Sequence, residues 1–178
     1  MSDKWSIIEV LQHVRHDWLN RLQLIKGNIS LGKTEQAERI MDEIVLNMKQ
    51  ETRLTNLKLP EFAIMLLTHN WEGYAFHMEY EILDERGTLP LDDKRLTSWL
   101  SLFFNKLNQS FHPIHDNYLF LTVETKCEEI RFHFQLSGII ENVDELEQWL
   151  TYNKGYPNKI SLNKIDDMEI MIVAIFTL

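Results

Sequence analysis

The first 30 residues carry the pattern that most constrains the fold. Apolar residues recur there with gaps of three and four, the spacing of one face of an α-helix that packs in a bundle. This apolar stripe consists of Ile7, Leu11, Val14, Trp18, Leu22, Ile25 and Ile29. The pattern predicts one amphipathic helix over residues 4–31, and Gly32 is its predicted stop signal.

His16 lies on the opposite side of this predicted helix from the apolar stripe. Successive helical side chains are about 100° apart, so a residue two positions from the stripe points roughly the opposite way. Asn20, Gln23 and Gly27 share the face of His16. A histidine that the core does not need, followed directly by Asp17, is a candidate nucleophile. Gly27 leaves a bare spot where another protein can come close.

A second amphipathic helix is predicted after a short turn. Thr34 is its predicted N-cap, it runs to about Leu57, and its apolar side contains Ala37, Ile40, Met41, Ile44 and Met48. A connection of two or three residues makes the two helices an antiparallel hairpin. Because one hairpin does not bury both apolar stripes, we predict a homodimer whose two hairpins form a four-helix bundle. The alternative is that the hairpin packs on the rest of its own chain.

The character of the sequence changes at Pro60, which predicts a hairpin domain over residues 1–58 and a second domain over residues 59–178. Helices are predicted over 62–71, 91–111 and 142–150, and strands over 76–83, 118–125, 130–136 and 169–178. The central helix has an apolar side of Leu96, Trp99, Leu100, Phe103, Phe104 and Leu107. Helices with mainly antiparallel strands predict an α/β sandwich, so the fold class of the whole chain is α+β.

Composition excludes several classes of function. A net charge of -9 over 178 residues argues against direct nucleic-acid binding. The single cysteine, Cys127, excludes an intrachain disulfide and is typical of the reducing cytosol. With no signal peptide and no long apolar run, we expect a cytoplasmic protein outside the membrane. His112 and His115 have a spacing that suggests a metal, but Pro113 and the lack of further ligands favour no metal site.

The run from Arg15 to Gln23 resembles the phosphoacceptor box of two-component histidine kinases. The acid after the histidine and the asparagine four residues later are similar to the citrate and malate sensor subclass. This resemblance implies that His16 is the phosphoacceptor and that a helical-hairpin dimer precedes a kinase-like α/β domain. The residues expected to support His16 or to contact a partner are Asp17, Asn20, Arg15, Arg21 and Gln23, and His13 is a weaker second candidate for the phosphoacceptor.

The second domain departs from the ATP-binding domains of those kinases. Residues 102–110 resemble the helix with the asparagine-rich box, but with Asn105 as the first asparagine, Gln109 occupies the metal-holding position. The expected Asp-x-Gly-x-Gly turn is replaced by residues 135–140, in which Gly138 is the only glycine. The chain has only six glycines, and a backbone without them does not fold around a triphosphate. We therefore predict that ATP is not bound.

A phosphoacceptor hairpin joined to an ATP-less kinase-like domain resembles the phosphorelay histidine phosphotransferases of spore-forming bacilli. The resemblance implies that His16 takes a phosphoryl group from the aspartyl phosphate of a single-domain response regulator. It then passes the group to a response-regulator transcription factor in sporulation initiation. Receiver domains are thus the expected donor and acceptor, with Mg²⁺ in the receiver and no cofactor bound by this chain. The alternatives are an autophosphorylating histidine kinase and a non-enzymatic adaptor that binds receivers.

Overall fold

The computed structural model describes residues 5–83, 90–126, 129–153, 156–165 and 168–177. Contacts within the chain divide it into two compact units, residues 1–49 and 50–178. The predicted domain boundary between residues 58 and 59 stays a prediction. No helix in the described part of the chain is long and apolar enough to cross a membrane.

Two long helices open the chain, as predicted. Helix α1 spans Ile7–Ser30 and helix α2 spans Thr34–Asn56. Helix α1 begins later than predicted because Ser6 is its N-cap: the Ser6 Oγ accepts from the Glu9 backbone N–H at 3.2 Å, and the Glu9 carboxylate accepts from the Ser6 N–H at 2.8 Å. These hydrogen bonds from Ser6 hold the pKa of Glu9 below its usual range. Gly32, with φ +71°, ends the helix in the left-handed region.

The second unit is an α/β sandwich, which confirms the predicted fold class. Its helices are α3 (Pro60–Thr68), α4 (Asp93–Ser110) and α5 (Val143–Tyr152), with a 3₁₀ turn at His69–Trp71. Its strands are β1 (His77–Ile82), β2 (Tyr118–Lys126), β3 (Glu129–Ser137), β4 (Lys159–Lys164) and β5 (Glu169–Thr177). The sheet order is β1-β2-β3-β5-β4, with β1 and β2 parallel and the other neighbours antiparallel. Strand β4 was not predicted from the sequence, because Ile160 and Leu162 are the only apolar residues in this short edge strand.

The three helices of the second unit bury one face of the sheet. The predicted apolar side of α4 is buried, which confirms it as core. The Phe103 ring lies 4.8 Å from the ring of Phe134 in β3, and the Phe62 ring in α3 lies 5.6 Å from that of Phe132. Ring pairs at these distances stabilise the core beyond the apolar area that they bury.

Side chains bond to outer backbone groups near both ends of edge strand β1. The Asn70 amide donates to Met78 O and accepts from Met78 N–H, both at 2.9 Å. At the other end of the strand, Gln50 accepts from Ile82 N–H at 2.9 Å and Arg53 donates to Ile82 O at 3.1 Å. Because unpaired edge groups invite pairing with another chain, these bonds protect the edge.

A buried asparagine joins three connecting segments at one end of the sheet. Asn117 is 3% exposed and its Nδ2 donates to Ala75 O and His112 O, each at 2.9 Å. Its Oδ1 accepts from Ile139 N–H at 3.2 Å. Gly138, with φ +140°, lies so close that a Cβ there would overlap Asn117 Oδ1. This glycine is therefore required by the Asn117 side chain and by its own backbone conformation.

We predict opposite effects for alanine at two glycines. Gly138→Ala should lower the free energy of unfolding by about 2 kcal/mol or more, because the new methyl group overlaps Asn117 and strains the backbone. Gly27→Ala should raise it by about 0.5–1 kcal/mol, because Gly27 is an open helical position where an added Cβ would have nothing within 4 Å. Urea denaturation of both variants measures these changes. Equal stability of the Gly138→Ala variant and the parent would contradict the close approach.

Candidate functional site

His16 lies at an exposed position in the middle of α1. Its side chain is 73% exposed, and both of its polar contacts in the described part of the chain are at Nδ1. Asp17 Oδ1 lies 3.5 Å from Nδ1, and Asn20 Nδ2 lies 3.3 Å from the same atom. The two contacts require opposite tautomers, because the Asn20 N–H donates only to an unprotonated Nδ1 whereas the Asp17 carboxylate accepts only from an Nδ1–H. Both contacts lie on the Nδ1 side of the ring, away from Nε2.

The structure brings together some of the predicted site residues. Asn20 and Gln23 are exposed on the same face of α1 as His16, within about 40° of it by helical spacing. Arg15 is exposed about 100° away, and Arg21 is half-buried about 140° away. Arg15 therefore lies on an adjacent face of the helix, whereas Arg21 lies on nearly the opposite side from His16. They do not line the face of His16 in this structure.

A depression lies on the same helix beyond His16. Its volume is about 520 Å³, and it is lined by Asn20, Gln23, Leu24, Gly27, Asn28 and Leu31. Gly27 has no side chain to fill this depression, as the sequence predicts. Nothing lies within 4 Å of a Cβ placed at Gly27. Leu24, Asn28 and Leu31 were not predicted from the sequence. The signal that identifies them is their position within four residues of Gly27, on the same side of α1.

The second unit contains the region that corresponds to a nucleotide site by resemblance. Helix α5 packs directly on α4: the Trp149 ring lies 6.1 Å from that of Phe103, and Lys106 Nζ lies 3.2 Å from Glu145 Oε2. Asn105 and Gln109 are exposed on the outer side of α4. The turn that would need flexible glycines is held by Asn117 instead.

The structure places His112 and His115 close together after α4. His112 Nε2 lies 3.7 Å from Glu141 Oε1, and the His112 and His115 ring centroids are 4.9 Å apart. Within the described residues, no group of three or more histidine, cysteine or acidic side chains is placed to hold a metal ion. Cys127 lies outside the described residues.

Two family models match this chain. Residues 1–57 match the family model of the SpoOB-type sensor-kinase α-helical domain, and residues 58–177 match that of the C-terminal domain of sporulation initiation phosphotransferase B. Sporulation initiation phosphotransferase B from Bacillus subtilis (strain 168) is 38% identical over 120 residues. The match covers 67% of this chain and 62% of the relative, which is less than two thirds of the relative's length.

The fold of the second unit is also found in a solved structure. The solved structure is the nucleotide-free catalytic domain of the histidine kinase ThkA. The match covers 68% of this chain and 94% of the ThkA chain, with a TM-score of 0.50 and 11% sequence identity. At this identity the likeness concerns the fold alone. The two family matches together cover residues 1–177, so the chain belongs to the family of sporulation initiation phosphotransferase B.

Proposed function

We propose that this chain is a phosphorelay phosphotransferase of sporulation initiation, acting in the cytoplasm. In this proposal His16 accepts a phosphoryl group from the aspartyl phosphate of a single-domain response regulator. It then passes the group to the aspartate of a response-regulator transcription factor. The observation that carries the proposal is the exposed His16 imidazole, whose polar contacts among the described residues, with Asp17 and Asn20, are both at Nδ1.

The two transfer steps have the same chemistry in opposite directions. The lone pair on Nε2 attacks phosphorus, an N–P bond forms, and the P–O bond to the donor aspartate breaks to release its carboxylate. The phosphoimidazolium keeps its Nδ1–H, which the Asp17 carboxylate stabilises at 3.5 Å. In the second step the acceptor carboxylate attacks, the P–O bond forms, and neutral imidazole leaves. Mg²⁺ belongs to the acidic pocket of each receiver in this proposal, and no cofactor is required in this chain.

The surface around His16 fits a visiting protein domain. Asn20 stands one helical turn away and can position the phosphoryl group or a backbone group of the receiver. Gln23 and the depression around Gly27 extend this surface along α1, where a protruding apolar side chain of the receiver has room. Arg15 and Arg21, on other faces of α1, are proposed to attract acidic groups of the receiver as it approaches.

The apolar stripe of α1 supports the proposed homodimer. Six of its residues remain between 38% and 80% exposed in the single chain: Ile7, Leu11, Val14, Trp18, Leu22 and Ile29. Met41, Val45 and Met48 of α2 are exposed as well. Exposed apolar area of this extent marks an interaction surface, and a second copy supplies the same stripe. A four-helix bundle formed in this way leaves the opposite face, which carries His16, in water.

We predict that His16→Ala abolishes phosphoryl transfer from a phosphorylated receiver domain, because the chain then lacks its acceptor nitrogen. The readout is acid-labile, base-stable phosphate on the chain after mixing with labelled receiver, together with transfer to a second receiver. The control variant is His13→Ala, which removes the neighbouring histidine and should retain transfer. If the His16→Ala variant still relays phosphate, the proposal fails. If no phosphohistidine forms on the parent chain, the adaptor alternative replaces it.

We predict that the chain neither binds ATP nor labels itself with it. The prediction is supported by Gln109 in the metal-holding position and by the turn at Gly138, which the Asn117 side chain fixes. Isothermal titration with millimolar ATP and Mg²⁺ should give no saturable heat, and incubation with γ-labelled ATP should leave the chain unlabelled. A histidine-kinase catalytic domain serves as the positive control. Saturable binding with self-labelling would instead support an autophosphorylating kinase.

We predict that Leu22→Asp dissociates the proposed dimer, because it places a charge in the centre of the apolar stripe. The matched control is Leu102→Asp on α4, since the two leucines are similarly exposed at 56% and 58%. Light scattering after gel filtration should give a monomer mass for the first variant and a dimer mass for the second. A monomeric parent chain would contradict the four-helix bundle.

A further inference from the structure

The two edges of the sheet differ in how their outward backbone groups are used. Edge strand β1 has side-chain partners near both of its ends, from Asn70, Gln50 and Arg53. The other edge strand is β4, which is six residues long. Among the described residues, no hydrogen bond reaches the outward backbone groups of Ile160 or Leu162 in this strand.

The ladder between β4 and β5 determines which backbone groups of β4 point outward. Just after β4, the Ile165 N–H donates to Glu169 O at 2.9 Å, in the same register as the ladder. Every second residue before Ile165 therefore also directs its backbone groups towards β5. Ile160 and Leu162 lie between those residues, so their N–H and C=O groups point away from the sheet.

The side chains of Ile160 and Leu162 lie at the margin of the core. Ile160 pairs with Ala174 and Leu162 with Ile172, and both partners are buried. Residues that lie opposite each other in a ladder project from the same face, so Ile160 and Leu162 project towards the helices. Both pack against the core but are only half-buried. A further strand with apolar residues beside them would remove more of their surface from water.

The charge around β4 is opposite to that of the chain as a whole. Residues 148–165 contain three lysines and no acidic residue, in a chain with a net charge of -9. Lys159 and Lys164 are exposed at the two ends of β4. Lysines on an edge strand oppose its pairing with a second copy, because the like charges of the two edges repel each other. A segment that carries carboxylates instead meets charges of the opposite sign.

We propose that β4 binds an extended segment of a partner protein as an additional antiparallel strand, in which apolar residues alternate with acidic ones. The backbone of this segment bonds to the outward groups of Ile160 and Leu162, and its apolar side chains pack beside theirs. Its acidic side chains project from the opposite face of the sheet, as does Lys159, which pairs with Ile175. The proposal concerns the second unit alone and does not depend on phosphoryl transfer by His16.

The probe is a fluorescein-labelled peptide of sequence Glu-Ile-Glu-Val-Glu-Ile, added to the full chain. Fluorescence anisotropy should show saturable binding, and amide NMR should show shifts at Ile160 and Leu162. The peptide Lys-Ile-Lys-Val-Lys-Ile has the same apolar residues and should bind about tenfold more weakly. No saturable binding of the acidic peptide, or equal binding of the two peptides, would overturn the proposal.

Methylation of the peptide backbone tests whether a strand is added. In the proposed antiparallel strand, the amides of the apolar residues donate to β4, and those of the glutamates point away from it. N-methylation of the isoleucine and valine amides should therefore weaken binding about tenfold or more. N-methylation of the glutamate amides is the matched control and should leave binding unchanged. Equal effects of the two modifications would refute strand addition.

Variants of the chain locate the interaction on β4. Leu162→Pro removes an outward N–H that the ladder with β5 does not use, so it should abolish binding while the sheet still folds. Leu162→Ala keeps that N–H and should retain binding. Lys159→Glu should weaken binding of the acidic peptide about tenfold, whereas Lys33→Glu, at the exposed turn between α1 and α2, should not. Undiminished binding to the Leu162→Pro or the Lys159→Glu variant would contradict the proposal.

A second copy of the chain is the other occupant that the experiment distinguishes. The Leu22→Asp variant should be monomeric in light scattering whether or not it also carries Leu162→Pro. If Leu22→Asp alone gives a dimer mass and the double variant a monomer mass, β4 pairs with itself and the proposal is wrong.

Discussion

The packing of α4 on the sheet is the constraint on which the second unit depends. Phe103 lies at the centre of this contact, with ring neighbours from the helix itself, from β3 and from α5. The buried side of α4 and the alternating buried residues of β3 form one apolar cluster. Since side chains in such a core are close-packed, the position of α5 is determined together with that of α4.

The packing of α4 with α5 and the sheet also supports the chemistry proposed for this chain. In the region that a kinase-like domain would use for a nucleotide, Trp149 stacks on Phe103 and Asn117 holds the turn at Gly138. These contacts stabilise the fold, and the proposal that ATP is not bound rests in part on them. The proposed chemistry therefore requires only a phosphoryl group that arrives already activated, together with an exposed imidazole that accepts and releases it.

Much of the architecture could be predicted from periodic patterns. The two long helices, the buried side of α4 and the α+β class follow from apolar spacing, because burying one face of an element requires that spacing. Strand β4 could not be predicted in the same way, since only Ile160 and Leu162 mark it, and its pairing with β5 is a non-local interaction. The face shared by His16, Asn20 and Gln23 was predictable, because helical geometry relates residues that are close in sequence.

The sequence by itself determined which residues share the helix face of His16, and that the turn at residues 135–140 lacks the glycines of a phosphate-binding loop. Only the tertiary structure decided that Asn117 fills that turn, that Gln50 and Arg53 of α2 protect one end of β1, and that the His69 ring packs against Phe104. The reason is physical: a helix face is set by angles that repeat every few residues, whereas these contacts join residues far apart in the chain. Such pairs come into contact only when the core packs distant segments together, so the local spacing of residues does not predict them.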